Sequence, residues 1–183
     1  MNFIDKLRIA AGRRYLAKEA SRLKRSRRAV NLSDAREIGI LFNMVSKTDY
    51  ERVSQFAGQL QEQGKRVQII GFYKYRKLPP YYAQTLAYDL IQPQHLDLIY
   101  RPKGLFVSNF INHSFDLLID LGSGDEFPLQ YIASLSKAGF KLGRKTEGRI
   151  QPYDLMIESG GDIESGELIS QIVQYTSMFR FDN

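Results

Sequence analysis

The chain contains no cysteine. Disulfides, thiolate nucleophiles and sulfur-ligated metals are therefore outside its chemistry. It has only two histidines, His95 and His113, so histidine-rich metal sites are excluded too. No apolar run is long enough to span a bilayer. The start, MNFIDKLRIAAGRRYLAK, is basic but has no continuous apolar core and no cleavage site, so it does not read as a secretory signal. Asp5 and Glu19 count against a transit peptide. The compact catalytic signatures are missing as well: G-x-G-x-x-G, G-x-x-x-x-G-K-[ST], G-x-S-x-G, H-E-x-x-H and C-x-x-C. These absences fit a cytoplasmic protein, with peripheral membrane association as the other option.

What is present is enough apolar material for one core. Of 183 residues, 43% are hydrophobic, which suits a single domain with an appendage. The net charge of +6 is unevenly spread. Residues 1–28 hold ten basic side chains against Asp5 and Glu19, a balance of about +8, and the other 155 residues sum to about −2. The expected organisation is a basic amphipathic helix over 1–30 followed by an α/β domain over 36–183.

Residues 2–28 are rich in Ala, Leu, Arg and Lys, all good helix formers. Ile4, Leu7, Ala11, Tyr15, Leu16, Ala20 and Leu23 form a loose apolar stripe. The remaining faces are cationic. Arg13, Arg14, Arg22, Lys24, Arg25, Arg27 and Arg28 are the candidates for contact with an anionic partner: a nucleic acid, a ribosome, an acidic protein or a membrane surface. No aromatic residue is interleaved between Lys18 and Arg28, which argues against base stacking there. The bland alternative is a docked helix whose charge serves solubility.

Beyond Asn31, Ser33 and Asp34 the pattern becomes alternating strand and helix. Glu37–Val45 reads as a central strand. Thr48 and Glu51 have capping-box spacing, and Val53, Phe56, Ala57 and Leu60 mark the apolar face of the helix that follows. Lys65–Tyr73 reads as the next strand, parallel to the first. A tyrosine-rich stretch follows, with a short helix expected over 81–91 and a third strand over His95–Tyr100. Leu105–His113 reads as a helix capped near Ser108. The organising stretch is Phe115–Gly139: a buried strand at Phe115–Leu121, an acidic glycine-rich turn, and a helix over roughly 126–138. A shorter echo follows at Tyr153–Asp162, and a last helix spans Gly166–Phe179. The expected fold is a three-layer α/β sandwich, Rossmann-like or flavodoxin-like, with a mainly parallel sheet of about five strands.

In open parallel sheets ligands bind beyond the carboxyl ends of the strands, at the topological switch point. Those ends carry Asp120, Gly122, Ser123, Gly124 and Asp125, then Glu158, Gly160 and Asp162. Glycine admits close backbone approach, helix amino termini favour anions, and carboxylates can hold a divalent ion that bridges to phosphate. This is the candidate small-molecule site, and no particular cofactor follows from it. The plain alternative is that Asp, Ser and Gly are ordinary turn and cap residues. Asp116 and Asp154, at strand starts, read as structural.

Two resemblances follow from these motifs. SFDLLIDLGSGDEFPLQYIASLSKAGFKLGR, Ser114–Arg144, resembles the amino-terminal half of heptosyltransferase-type glycosyltransferases, in the FDLLIDL strand, Ala138, and Leu142-Gly143. It implies a strand–helix–strand unit. No activity or residue role carries over, because those enzymes bind nucleotide sugar with a second α/β domain that 183 residues do not accommodate. The whole layout, from RRYLAKEASRLKR through REIGILFN and FDLLIDL to YDLMIE, is similar to a family of short uncharacterised bacterial α/β proteins, which implies a shared fold.

Two functions therefore stand as expectations. One is a non-enzymatic interaction module whose basic helix contacts an anionic partner. The alternative is a nucleotide- or sugar-nucleotide-binding enzyme domain using the acidic glycine-rich loops.

Overall fold

The computed structural model describes residues 3–82, 88–123, 126–145, 151–158 and 165–178. Gly124, Asp125, Gly160 and Asp162 lie outside the described residues. The core is a six-stranded, wholly parallel sheet: β1 (Glu37–Asn43), β2 (Arg66–Phe72), β3 (Tyr88–Ile91), β4 (Leu117–Asp120), β5 (Phe140–Arg144) and β6 (Leu155–Ile157). Spatial order is β3-β2-β1-β4-β5-β6, the doubly wound order with its switch point between β1 and β4. Among the described residues five α-helices accompany it: α1 (Phe3–Arg22), α2 (Lys47–Glu62), α3 (Leu105–Asn112), α4 (Phe127–Leu135) and α5 (Ser165–Met178).

Strand alternation sends Ile38, Ile40, Phe42, Leu117, Ile119 and Leu142 to one side of the sheet, where Val53, Phe56 and Leu60 of α2 and Leu168 and Ile172 of α5 meet them. Leu41, Ile70, Phe72 and Leu118 face the other side and pack with Phe110 of α3 and Ile132 of α4. β1 and β4 are apolar nearly throughout because both faces are covered.

Several local expectations shift. The chain is helical only to Arg22 and then runs without regular structure over 23–30. The apolar stripe docks over only part of its length. Ile4 and Leu7 stay 64% and 55% exposed, whereas Gly12 and Leu16 are buried. The physical cause is Gly12: a Cβ there would run into the Ile99 carbonyl and sit 2.7 and 2.8 Å from Phe127 ring carbons. Glycine thus lets α1 lie close on α4 and the 97–101 loop.

The α2 cap is Ser46 with Asp49, two residues earlier than Thr48 and Glu51, and both reciprocal bonds form. Helix α3 starts at Leu105 after Gly104, and Ser108 bonds back to the Leu105 carbonyl rather than capping. The third strand is Tyr88–Ile91, not His95–Tyr100. Asp97 explains the difference: its carboxylate accepts the Ile99 and Arg101 amides at 2.9 and 3.0 Å, closing a turn where a ladder would need those donors.

Candidate functional site

A parallel sheet places every strand start at one end and every strand exit at the other. The residues flanking the starts of β1, β2, β4 and β5 therefore converge, although they are far apart in sequence. Arg36, Lys65, Ser114–Asp116 and Lys137 meet there, and the segment 23–30 crosses beneath them as a strap. The Arg28 amide donates to the Gly139 carbonyl at 3.1 Å. The Arg25 guanidinium donates to the Ala138 and Gly139 carbonyls, both at 3.0 Å, and to Asp154 at 2.5 Å. Only 8% of the Arg25 side chain is exposed.

Between strap and sheet lies a groove of about 1150 Å³. Lys24, Arg28, Arg36, Lys65 and Lys137 line it beside the Asp154-paired Arg25, with Asp34 and Asp116 as the acidic members. Both acids have backbone or local work nearby: Asp116 accepts the Arg36 and Glu37 amides at 2.9 and 3.0 Å, and Asp34 accepts from the Ser33 hydroxyl at 3.3 Å. Lys65 donates to the Ser33 and Ala35 carbonyls, and burial lowers its pKa. The groove walls are thus predominantly cationic.

A second cavity, about 530 Å³, lies on the other side of the strap. Lys24, Arg25 and Arg27 border it, together with Ser134, Lys141 and Tyr153. Lys141 is a lysine inside a strand and is 1% exposed. Its Nζ donates to the Ala133 carbonyl at 2.7 Å and the Ser134 carbonyl at 3.4 Å, at the carboxyl end of α4, where a cation is favoured. Burial, and then the nearby Arg25 charge, lower its pKa to about 7.

The carboxyl ends of the strands look different. Asp120 is 4% exposed. One carboxylate oxygen accepts the Gly122 amide at 2.8 Å and the other accepts the Tyr153 hydroxyl at 2.6 Å. Burial raises the Asp120 pKa, opposed by those two hydrogen bonds and by Arg144. The Tyr153 ring lies against Gly143, where a Cβ would stand 2.5 Å from it. Gly122 is buried and Ser123 half-buried. Glu158 is 79% exposed and pairs with Lys145 at 2.9 Å, which lowers its pKa. Asp120 and Glu158 belong to β4 and to the exit of β6, with β5 between. They are separated by two strand spacings, roughly 10 Å. Among the described residues, no group of three or more His, Asp or Glu side chains is placed to hold a metal ion.

Of the seven basic candidates, Arg13 and Arg14 are exposed on α1 and Arg22 closes it 3.5 Å from Glu19. Lys24, Arg27 and Arg28 are exposed on the strap, with Arg27 3.7 Å from Asp154. Arg25 alone faces inward. Sequence reasoning missed Arg36, Lys65 and Lys137, whose signal was their position just before strands, and Lys141, whose signal was a charge flanked by apolar strand residues.

Residues 8–179 match the model of a family of unknown function, DUF6913. The chain belongs to that family. The DUF6913 match takes in most of α1, the strap, the whole sheet and α5. The likeness of 114–144 to heptosyltransferase-type enzymes falls inside it and gains no support from it. No curated protein matches the chain. No helix among the described residues is long and apolar enough to cross a membrane.

Proposed function

We propose that this protein is a non-enzymatic binding module that holds the phosphate backbone of a nucleic acid at the amino end of its sheet. The observation that carries this reading is the groove of about 1150 Å³ with Lys24, Arg28, Arg36, Lys65 and Lys137 on its walls. Cations on a concave surface suit a polymer of regularly spaced negative charges, and such contacts give affinity with little sequence preference. Ahead of the strap in sequence, α1 carries the further exposed cations Arg13, Arg14, Lys18 and Arg22. A flat lipid surface matches a recess less well. The first turns of α1 favour it as a second reading, because Phe3, Ile4 and Leu7 stay 74%, 64% and 55% exposed beside the basic face. The enzyme alternative draws on strand order. It is weakened by an Asp120 whose two oxygens already have partners.

The test is a fluorescence-anisotropy titration with single-stranded RNA, single-stranded DNA and duplex DNA, run beside sedimentation with anionic vesicles. If the five groove cations neutralise five phosphates of a single strand, affinity falls roughly 100-fold between about 50 and 200 mM salt. The triple change Lys24→Glu, Arg36→Glu and Lys137→Glu should abolish binding and flatten that salt slope. Binding that survives the triple change, or that appears only on vesicles, sinks the nucleic-acid reading.

A further inference from the structure

The second cavity is not part of the groove, and its chemistry is more selective. Its polar floor is made by Lys141 and Ser134, neither of which lines the groove. Ser134 is 5% exposed, and its hydroxyl has no hydrogen-bond partner. A buried, unpartnered hydroxyl is costly, and it is explained if a ligand supplies the partner. The Lys141 ammonium has three donors, and two are directed to the Ala133 and Ser134 carbonyls. Arg25, Arg27 and Lys24 border the same space. The charged groups facing Lys141 are therefore Arg25, Arg27 and Lys24 of the strap and Asp154 ahead of β6. Asp154 is engaged elsewhere, accepting from the Arg25 guanidinium at 2.5 Å and from the Lys141 amide at 2.9 Å.

We infer that this cavity is a binding site for a phosphate monoester, with the phosphoryl oxygens taken by the third Lys141 proton, the Ser134 hydroxyl and Arg27. Three features favour this class. Lys24, Arg25, Arg27 and Lys141 line the cavity, and no carboxylate is among the described residues that do. An anion restores to Lys141 the charge that burial opposes. At about 530 Å³ the space exceeds what a phosphate ion fills and falls within the range of small-molecule sites, so an organic group accompanies the phosphoryl.

The experiment uses the full chain, with inorganic phosphate, ribose 5-phosphate and ribose as probes in calorimetric titration. It is paired with NMR of the Lys141 side chain, using ¹³C-labelled lysine. Ribose 5-phosphate should bind saturably and more tightly than phosphate, ribose should not bind, and the Lys141 titration midpoint should move upward on binding. Ser134→Ala should weaken binding about 10-fold, the worth of one hydrogen bond to a charged group. Lys141→Met should remove it. Binding of inorganic phosphate alone makes the site an ion site and overturns the monoester assignment. No binding at millimolar probe, or binding indifferent to both variants, overturns the site. Neither residue lines the groove, so loss here with intact nucleic-acid binding separates this inference from the function proposed above.

Discussion

The two ends of the sheet are built from the same parallel strands and end up chemically opposite. At the amino end, basic residues line an open groove and several keep their charges exposed. At the carboxyl end, the buried carboxylate of Asp120 is closed off by Tyr153 and Gly122. In doubly wound folds the carboxyl end is the usual place for a ligand, so the contrast runs against the habit of the fold. The lesson is that topology gathers residues at both ends, and only side-chain chemistry decides which end is available.

The comparison breaks most readily at Arg25, the one strap cation that faces inward. Arg25→Met strands Asp154 in a largely buried place, and we expect a loss of about 3–5 kcal/mol in urea unfolding. Arg27→Ala, on the same strap but 76% exposed, should change stability by under about 1 kcal/mol. Equal effects would mean that the strap is held by something other than Arg25.

At the opposite end, Tyr153→Phe leaves a buried Asp120 oxygen without its donor and should cost about 1–3 kcal/mol. Asp120→Asn keeps an acceptor for Gly122 and removes a charge that burial disfavours, so stability should stay within about 1 kcal/mol. If Asp120→Asn instead destabilises strongly, the carboxyl end depends on that charge and the contrast between the ends narrows.

The remaining expectation is a pH dependence. Lys141 titrates near 7 in the folded protein and near 10.4 when unfolded. Between those values the unfolded chain binds more protons, so stability should rise with pH. Relative to Lys141→Met, the wild type should gain up to about 1.4 kcal/mol per pH unit between about pH 7 and 9.5. The wild-type stability itself turns over at higher pH, because burial pushes Tyr82 up to about 12 and raises Tyr153 as well. Both then act with the opposite sign as pH climbs past 10. A flat difference would show that Lys141 keeps its proton.

Much of the fold was legible from residue pattern. The apolar runs at Glu37–Val45 and Phe115–Leu121, the capping signal near residue 48 and the β-α-β spacing led to a parallel α/β sandwich. Two signals misled. His95–Tyr100 has strand-like alternation, but Asp97 takes the amides a ladder needs. The α1 stripe docks at Leu16 but not at Ile4 and Leu7, because close approach is set by Gly12, which hydrophobicity does not mark. The candidate site was less legible. The acidic glycine loops are locally conspicuous, while the groove is assembled from single basic residues near positions 24, 36, 65 and 137. Nothing local marks these as neighbours. They meet only because the strands are parallel and adjacent, which is a property of strand order.

The strap also sets a timetable. Its partners lie late in the chain: Gly139 is 111 residues beyond Arg28 and Asp154 is 129 beyond Arg25. At ordinary rates of synthesis, about 5–20 residues per second, roughly 5–25 seconds pass between making the strap and making what it binds. Through that interval the cations of α1 and the strap are emerging, unanchored, beside polyanionic RNA. Long sequence separation also slows closure of such contacts. The strap is therefore among the first segments made, yet it cannot dock until residues 138–154 exist.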